Sequence, residues 1–221
     1  MHYFTSDYLQ FFKDLAANNN KDWFDKNRKR YENIVREPFK IFITDLIDEL
    51  SKEDAEIQIT QKEAIFRINR DIRFSKDKTP YKLNNSAIIS KGGRKDKSYP
   101  GIYVELGPEK LGVYGGVFGP DTQQVERIRN YISKNMKEFE ALVTDKNFIK
   151  SFEEIKGKKA KRIPKEYREI GEKQSLIYNK QWYYFTHLDP EIIEGDDLMK
   201  TITSLSKTAK PLREFLKKAI N

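Results

Sequence analysis

The sequence predicts an α+β fold: one domain over residues 1–221, with a largely antiparallel sheet packed by N-terminal and C-terminal helices. Three observations predict it. Residues 6–50 place apolar side chains at helical spacing, residues 66–114 alternate apolar and polar side chains at strand spacing, and residues 198–220 return to the helical period. No internal repeat and no shift of composition marks a second domain.

Ser6 or Asp7 caps a first helix whose stripe is Tyr8, Leu9, Phe11, Phe12 and Leu15. Asn18-Asn19-Asn20 breaks it, and Asn20 caps a second helix through Trp23, Phe24, Tyr31, Ile34 and Val35. Pro38 ends or kinks that helix near Glu37, because proline has no N–H and crowds the preceding turn. Helical spacing resumes at Phe39, Phe42, Ile43, Leu46, Ile47 and Leu50. Ile57–Thr60 is expected as a short strand, followed by a strand over 66–74 with apolar Phe66, Ile68, Ile72 and Phe74.

Ser86–Ser90 is a further short strand, and Gly92–Lys97 a polar loop. Ile102, Val104 and Leu106 alternate with Tyr103 and Glu105, turn at Gly107–Lys110, and return through Leu111, Val113 and Tyr114. Gly115-Gly116 marks a bulge, or a place where a backbone or ligand must come close. A helix from about Asp121 or Thr122 carries Val125, Ile128, Ile132 and Met136, and a helical stretch follows around Phe139, Leu142 and Phe148. The basic segment 156–164 reads as an exposed linker. After it come the aromatic patch Trp182-Tyr183-Tyr184-Phe185 and a closing helix from Leu198 to Ile220.

The formal net charge of +8 is concentrated. Residues 61–97 hold 11 Lys/Arg against 4 Asp/Glu, and residues 150–173 hold 9 against 5. Two basic segments imply a localised field that favours association with an anionic partner, without specifying which one. The absence of Cys excludes disulfides, thiolate metal sites and Cys nucleophiles. No apolar run approaches the roughly 20 residues of a membrane helix. The start lacks the pattern of a signal peptide, so no membrane association is expected and a cytoplasmic location is.

Most of the candidate chemistry lies in residues 66–82, where six basic side chains occupy a strand and the loop after it. Arg67, Asn69, Asp71 and Arg73 share the polar face of that strand, and Lys76, Lys78 and Lys82 follow in the loop. Arginine forks are suited to bidentate capture of phosphate or carboxylate. The candidate ligand-binding set is therefore Arg67, Asn69, Arg70, Asp71, Arg73, Lys76, Lys78 and Lys82. A purely structural alternative for this loop has Tyr81 plugging the core beneath the Thr79-Pro80 turn. Asp71 and Asp77 lie among bases that oppose a divalent cation, so no metal site is expected. With only His2 and His187 present, no His-based metal cluster forms and no catalytic set is assigned. No phosphate-loop or dinucleotide spacing is present, and no cofactor is expected.

The chain resembles the uncharacterised family called domain of unknown function 2461. The resemblance covers nearly the whole sequence. It rests on Asn19-Asn20-Lys21-Asp22-Trp23-Phe24, the run from Phe66 to Lys82, Tyr103 before Gly115-Gly116, Arg129, and Ala209–Leu216. It implies a soluble α+β protein and carries no activity or catalytic residue to transfer.

Three functional readings follow. The first is binding of a phosphorylated small molecule or other anion by the 66–82 segment. The second is a nucleic-acid-binding module joining the basic segments 61–97 and 150–173, with exposed Tyr for stacking. The third is a non-catalytic interaction scaffold whose charged segment is internal wiring. Oligomeric state and enzymatic activity are left open by the sequence.

Overall fold

The computed structural model describes residues 2–221 as an α+β chain. Its N-terminal helices follow from the apolar stripes. Helix α1, Ser6–Ala17, buries Tyr8, Leu9, Phe11, Phe12 and Leu15. Helix α2, Lys21–Lys26, is capped by Asn20, whose side-chain oxygen accepts the Trp23 N–H at 3.0 Å. Replacing a cap of this kind costs about 1 kcal/mol. Asn20→Ala is therefore expected to lower the melting temperature by roughly 3 °C for a chain of this size, as read by thermal unfolding.

Pro38 neither ends nor sharply breaks the helix. After a short turn, α3 (Arg28–Arg30), the backbone widens into a π-helix over Tyr31–Arg36 and continues as α4, Glu37–Ser51. A prolyl ring has no N–H to donate and crowds the carbonyl of the turn before it; a wider turn takes up that mismatch. The α4 stripe from Phe39 to Leu50 is then buried as expected. Ile57–Thr60 forms no strand. Thr60 instead starts the short helix α5, Gln61–Ala64, its N–H donating to the Glu63 carboxylate at 2.9 Å.

The sheet has four strands in the order β1 (Asn85–Ile89), β2 (Gly101–Gly107), β3 (Lys110–Val117) and β4 (Trp182–Leu188), every pair antiparallel. Its inward face is Ala87, Ile89, Ile102, Val104, Leu106, Leu111 and Val113 packed on α1 and α4. Val117, Trp182 and Tyr184 are buried under the C-terminal helices. Those helices are α6 (Thr122–Lys134), capped by Asp121, α7 (Met136–Val143), α8 (Lys146–Phe152), α9 (Arg168–Lys173) and α10 (Leu198–Ile220). Buried Arg129 on α6 donates to the carbonyls of Ile177 and Asn179 at 3.0 and 3.2 Å, fixing the turn that feeds β4.

The strand expected over 66–74 does not form. The chain doubles back on itself with two antiparallel rungs: Arg70 N–H donates to the Pro80 carbonyl and Lys82 N–H to the Ile68 carbonyl, both within 2.9 Å. Only Ile68 of the four apolar residues is buried, and Phe74 is 95% exposed at the tip. Side chains take the backbone groups that a ladder would use. The Lys78 ammonium donates to the Ile72 carbonyl at 2.9 Å, and Asp77 accepts the Thr79 N–H at 2.9 Å. Tyr81 does plug the core, stacking on Phe24 with ring centroids 4.1 Å apart. The Asn19 amide clamps both backbone groups of Tyr81, at 3.0 and 3.1 Å.

Both edges of the sheet carry an added backbone segment. Ile65 bridges Ala87 on the β1 edge. Lys156, expected in a free linker, bridges Tyr183 on the β4 edge, with N–H···O bonds of 2.7 and 3.1 Å in the two directions. The two most basic stretches of the sequence therefore flank opposite edges of one sheet.

Candidate functional site

The outward face of the sheet is where chemistry-bearing side chains collect. Because strand side chains alternate, Ile88, Tyr103, Tyr114 and Phe185 stand side by side across β1 to β4, and Ser86, Glu105, Gly112 and His187 form the adjacent row. All of these except Gly112, together with Phe66, Lys82, Lys97, Phe118 and Tyr183, line a cleft of about 550 Å³.

The rings form a continuous path. Phe66 meets Tyr103 at 6.0 Å, Tyr103 meets Tyr114 at 5.3 Å, and Tyr114 meets Phe185 at 5.5 Å. Phe185 lies nearly parallel to Tyr183, and Tyr183 meets Phe118 at 5.3 Å. Two glycines make this possible. A Cβ at Gly112 would lie 2.6 Å from the Tyr114 ring, so the missing side chain is what lets that ring lie along the strand. Gly116 has φ +91°, and a Cβ there would sit 2.2 Å from the Trp182 carbonyl oxygen. Its neighbour Gly115 makes room for the buried Tyr184 ring on the other face. The glycine pair thus serves strand geometry directly and shapes the cleft floor as a result.

At the β1 end the cleft is cationic. The Lys82 ammonium lies 5.4 Å from the centre of the Phe66 ring and the Lys97 ammonium 5.8 Å from it. Neither lysine, nor Arg67, forms an ion pair among the described residues. Burial first, then Arg67 and Lys97, pull the Lys82 ammonium below the ordinary lysine range.

At the other end Glu105, Lys110, Tyr114 and His187 make a polar group. The Tyr114 hydroxyl and the Lys110 ammonium lie 3.0 and 3.2 Å from His187 Nε2, and Lys110 is 4.0 Å from Glu105. Burial, with Lys110 second, holds the imidazole below its ordinary range, so His187 is neutral at neutral pH and Nε2 accepts. Burial raises both the Tyr103 phenol, to about 12, and the Tyr114 phenol, keeping them protonated donors.

The structure divides the residues expected from the 66–82 segment. Lys82 is in the cleft, and Arg67 is close enough to act on its charge. Arg70 is held by Asp77 and Thr79. Arg73 grips Asp71 through two bonds of 2.9 and 2.7 Å. Lys78 is occupied by the Ile72 carbonyl. Asp77 is pulled down to about 2, chiefly by the Thr79 N–H and then by Arg70. Asn69 contributes a backbone bridge to Tyr81, and its side chain, like that of Lys76, is exposed. The hairpin tip is braced by its own acids, whereas Arg67 and Lys82 at its base form no ion pair among the described residues.

Tyr103, Tyr114, Phe185, His187 and Lys97 fall outside the set expected from sequence. The available signal was Tyr103 and Tyr114 at the outward positions of the hairpin, where alternation calls for polar residues. Trp182–Phe185 gave no such signal, because both of its faces are aromatic.

No helix of the described residues is long and apolar enough to cross a membrane. No curated protein and no solved structure matches the chain. A family model described as a conserved hypothetical protein matches residues 7–215, a span that takes in the Asn19 clamp, the braced hairpin, the ring-lined sheet and the buried Arg129. On that match the chain belongs to the DUF2461 family.

Proposed function

We propose that the cleft binds an anionic ligand bearing a flat ring, with the anion at Lys82, Lys97 and Arg67 and the ring on the Tyr103–Tyr114–Phe185 row. One observation carries this reading: Lys82 is half-buried beside two further cations, Arg67 and Lys97, none of the three forms an ion pair among the described residues, and only the more distant Glu105 offsets part of the charge on Lys82. Partly burying Lys82 beside two exposed like charges costs free energy, and a phosphate or carboxylate relieves that cost. The rings supply stacking surface that a simple ion does not use.

The test is thermal unfolding with inorganic phosphate, adenosine and adenosine monophosphate. The monophosphate is expected to stabilise most, by about 2.7 kcal/mol when present at a hundred times its dissociation constant. Lys82→Met is expected to remove that response. Arg73→Ala, which breaks the exposed pair with Asp71 and the contact with the Phe74 ring, is expected to keep it. The reverse pattern would move the anion site to the hairpin tip, and no response from any of the three probes in wild type would end the reading. Because the anion favours protonated Lys82, affinity should also fall as pH rises, and should do so at lower pH than an ordinary lysine would require.

A further inference from the structure

We infer that the outward sheet face is a platform for single-stranded nucleic acid, running from the Lys82 edge to the Lys156 edge. This rests on the anionic-ring reading above and extends it from one nucleotide to a strand. The first support is the ring path itself, which runs from Phe66 beside β1 through Tyr103 of β2, Tyr114 of β3 and Phe185 and Tyr183 of β4 to Phe118, without a gap wider than 6.5 Å between centroids. A single small ligand covers part of that path. Successive bases can use all of it, since every base has a face to stack.

The second support is the placement of charge. A strand stacked across the sheet must have its backbone neutralised at both ends of the path. Residues 61–97 supply Lys82, Lys97 and Arg67 at the β1 edge. Lys156, itself paired with Glu154 at 2.6 Å, bridges Tyr183 on the β4 edge, and Lys159 bridges Asn179 just before β4, followed at once by Lys161 and Arg162. Lys158, Lys159, Lys161 and Arg162 are all exposed. Nothing in the fold demands that the two basic stretches sit on opposite edges of the one face lined with rings, whereas a polyanion laid across that face does. A duplex fits poorly, because its bases are already stacked and paired and present only edges.

The experiment is fluorescence anisotropy with uridine and thymidine monophosphates, oligo-U and oligo-dT of two, four and eight nucleotides, and a duplex of equal charge. Either sugar series meeting the criterion suffices. Affinity is expected to rise roughly tenfold per stacked base and to level off at about four nucleotides, with the duplex weaker than the octamer. Phe185→Ala should lose about tenfold for the octamer. Replacing Lys158, Lys159, Lys161 and Arg162 together by Ala should weaken octamer binding at least tenfold and leave the mononucleotide unchanged, because those side chains lie at the far edge. An octamer bound no more tightly than the mononucleotide overturns the platform while the small-ligand reading stands. Loss of both overturns the two together. Polyphosphate competing as well as the octamer would show that charge alone acts, and the inference would fail.

Discussion

Lys217→Met is expected to lower the melting temperature by roughly 10 °C, from a loss of about 3–5 kcal/mol. Lys217 lies in the last turn of α10 and Asp54 just beyond α4, and their side chains are only 6% and 8% exposed. The ammonium bonds directly to the Asp54 carboxylate and also faces Glu214 at 3.3 Å, Glu56 at 3.9 Å and the Tyr99 ring. Removing the cation leaves a carboxylate away from water with no counter-charge, and that orphaned group makes the loss large. The double variant Lys217→Met with Asp54→Asn should recover most of the stability, because Glu56 and Glu214 remain within reach of water. Thermal unfolding of the two single variants and the double variant decides it. A double variant no more stable than Lys217→Met would show that the side-chain packing of Lys217, and not its charge, is what matters.

Gly116→Ala is the second large effect. The residue is held at φ +91°, where an L side chain is strained, and the new methyl would meet the Trp182 carbonyl at the β3–β4 pairing. Strain and overpacking each cost about 1–3 kcal/mol, so a combined loss of roughly 2–6 kcal/mol is expected. The ordering of the cleft should suffer with it, since Gly116 pairs with Tyr183 and both line the site. Gly119→Ala is the control: a Cβ there meets only the Lys97 side chain and carbonyl, at 3.6 and 3.9 Å, and should change stability little. Equal melting temperatures for the two variants would show that the strand can shift to admit a side chain at 116.

Much of the fold was legible because one face of each element is apolar at the right period. The α1 and α4 stripes, the Asn20 cap, the Ile102–Tyr114 hairpin and the limits of α10 follow from spacing alone. The errors arose where spacing misleads. Residues 66–74 alternate like a strand, yet Asp71, Asp77 and Lys78 bind nearby main-chain and side-chain groups and fold the segment onto itself. The fourth strand, β4, was hidden because Trp182 and Tyr184 fill the core while Tyr183 and Phe185 line the cleft, so nothing alternates.

Composition and spacing are enough to set the class of fold, the apolar stripes that build it and the presence of two basic stretches. Those properties depend on neighbours within a few residues. Only the tertiary structure decided that Lys82 at one edge and Lys156 at the other flank the same ring-lined face. Only it decided that Arg70 and Arg73 are occupied by acids while Arg67, Lys82 and Lys97 form no ion pair among the described residues. Charge compensation and ring adjacency are set by which strands pair in which register. Register here joins residues as far apart as Tyr103, Tyr114 and Phe185, and no local pattern in the chain encodes that meeting.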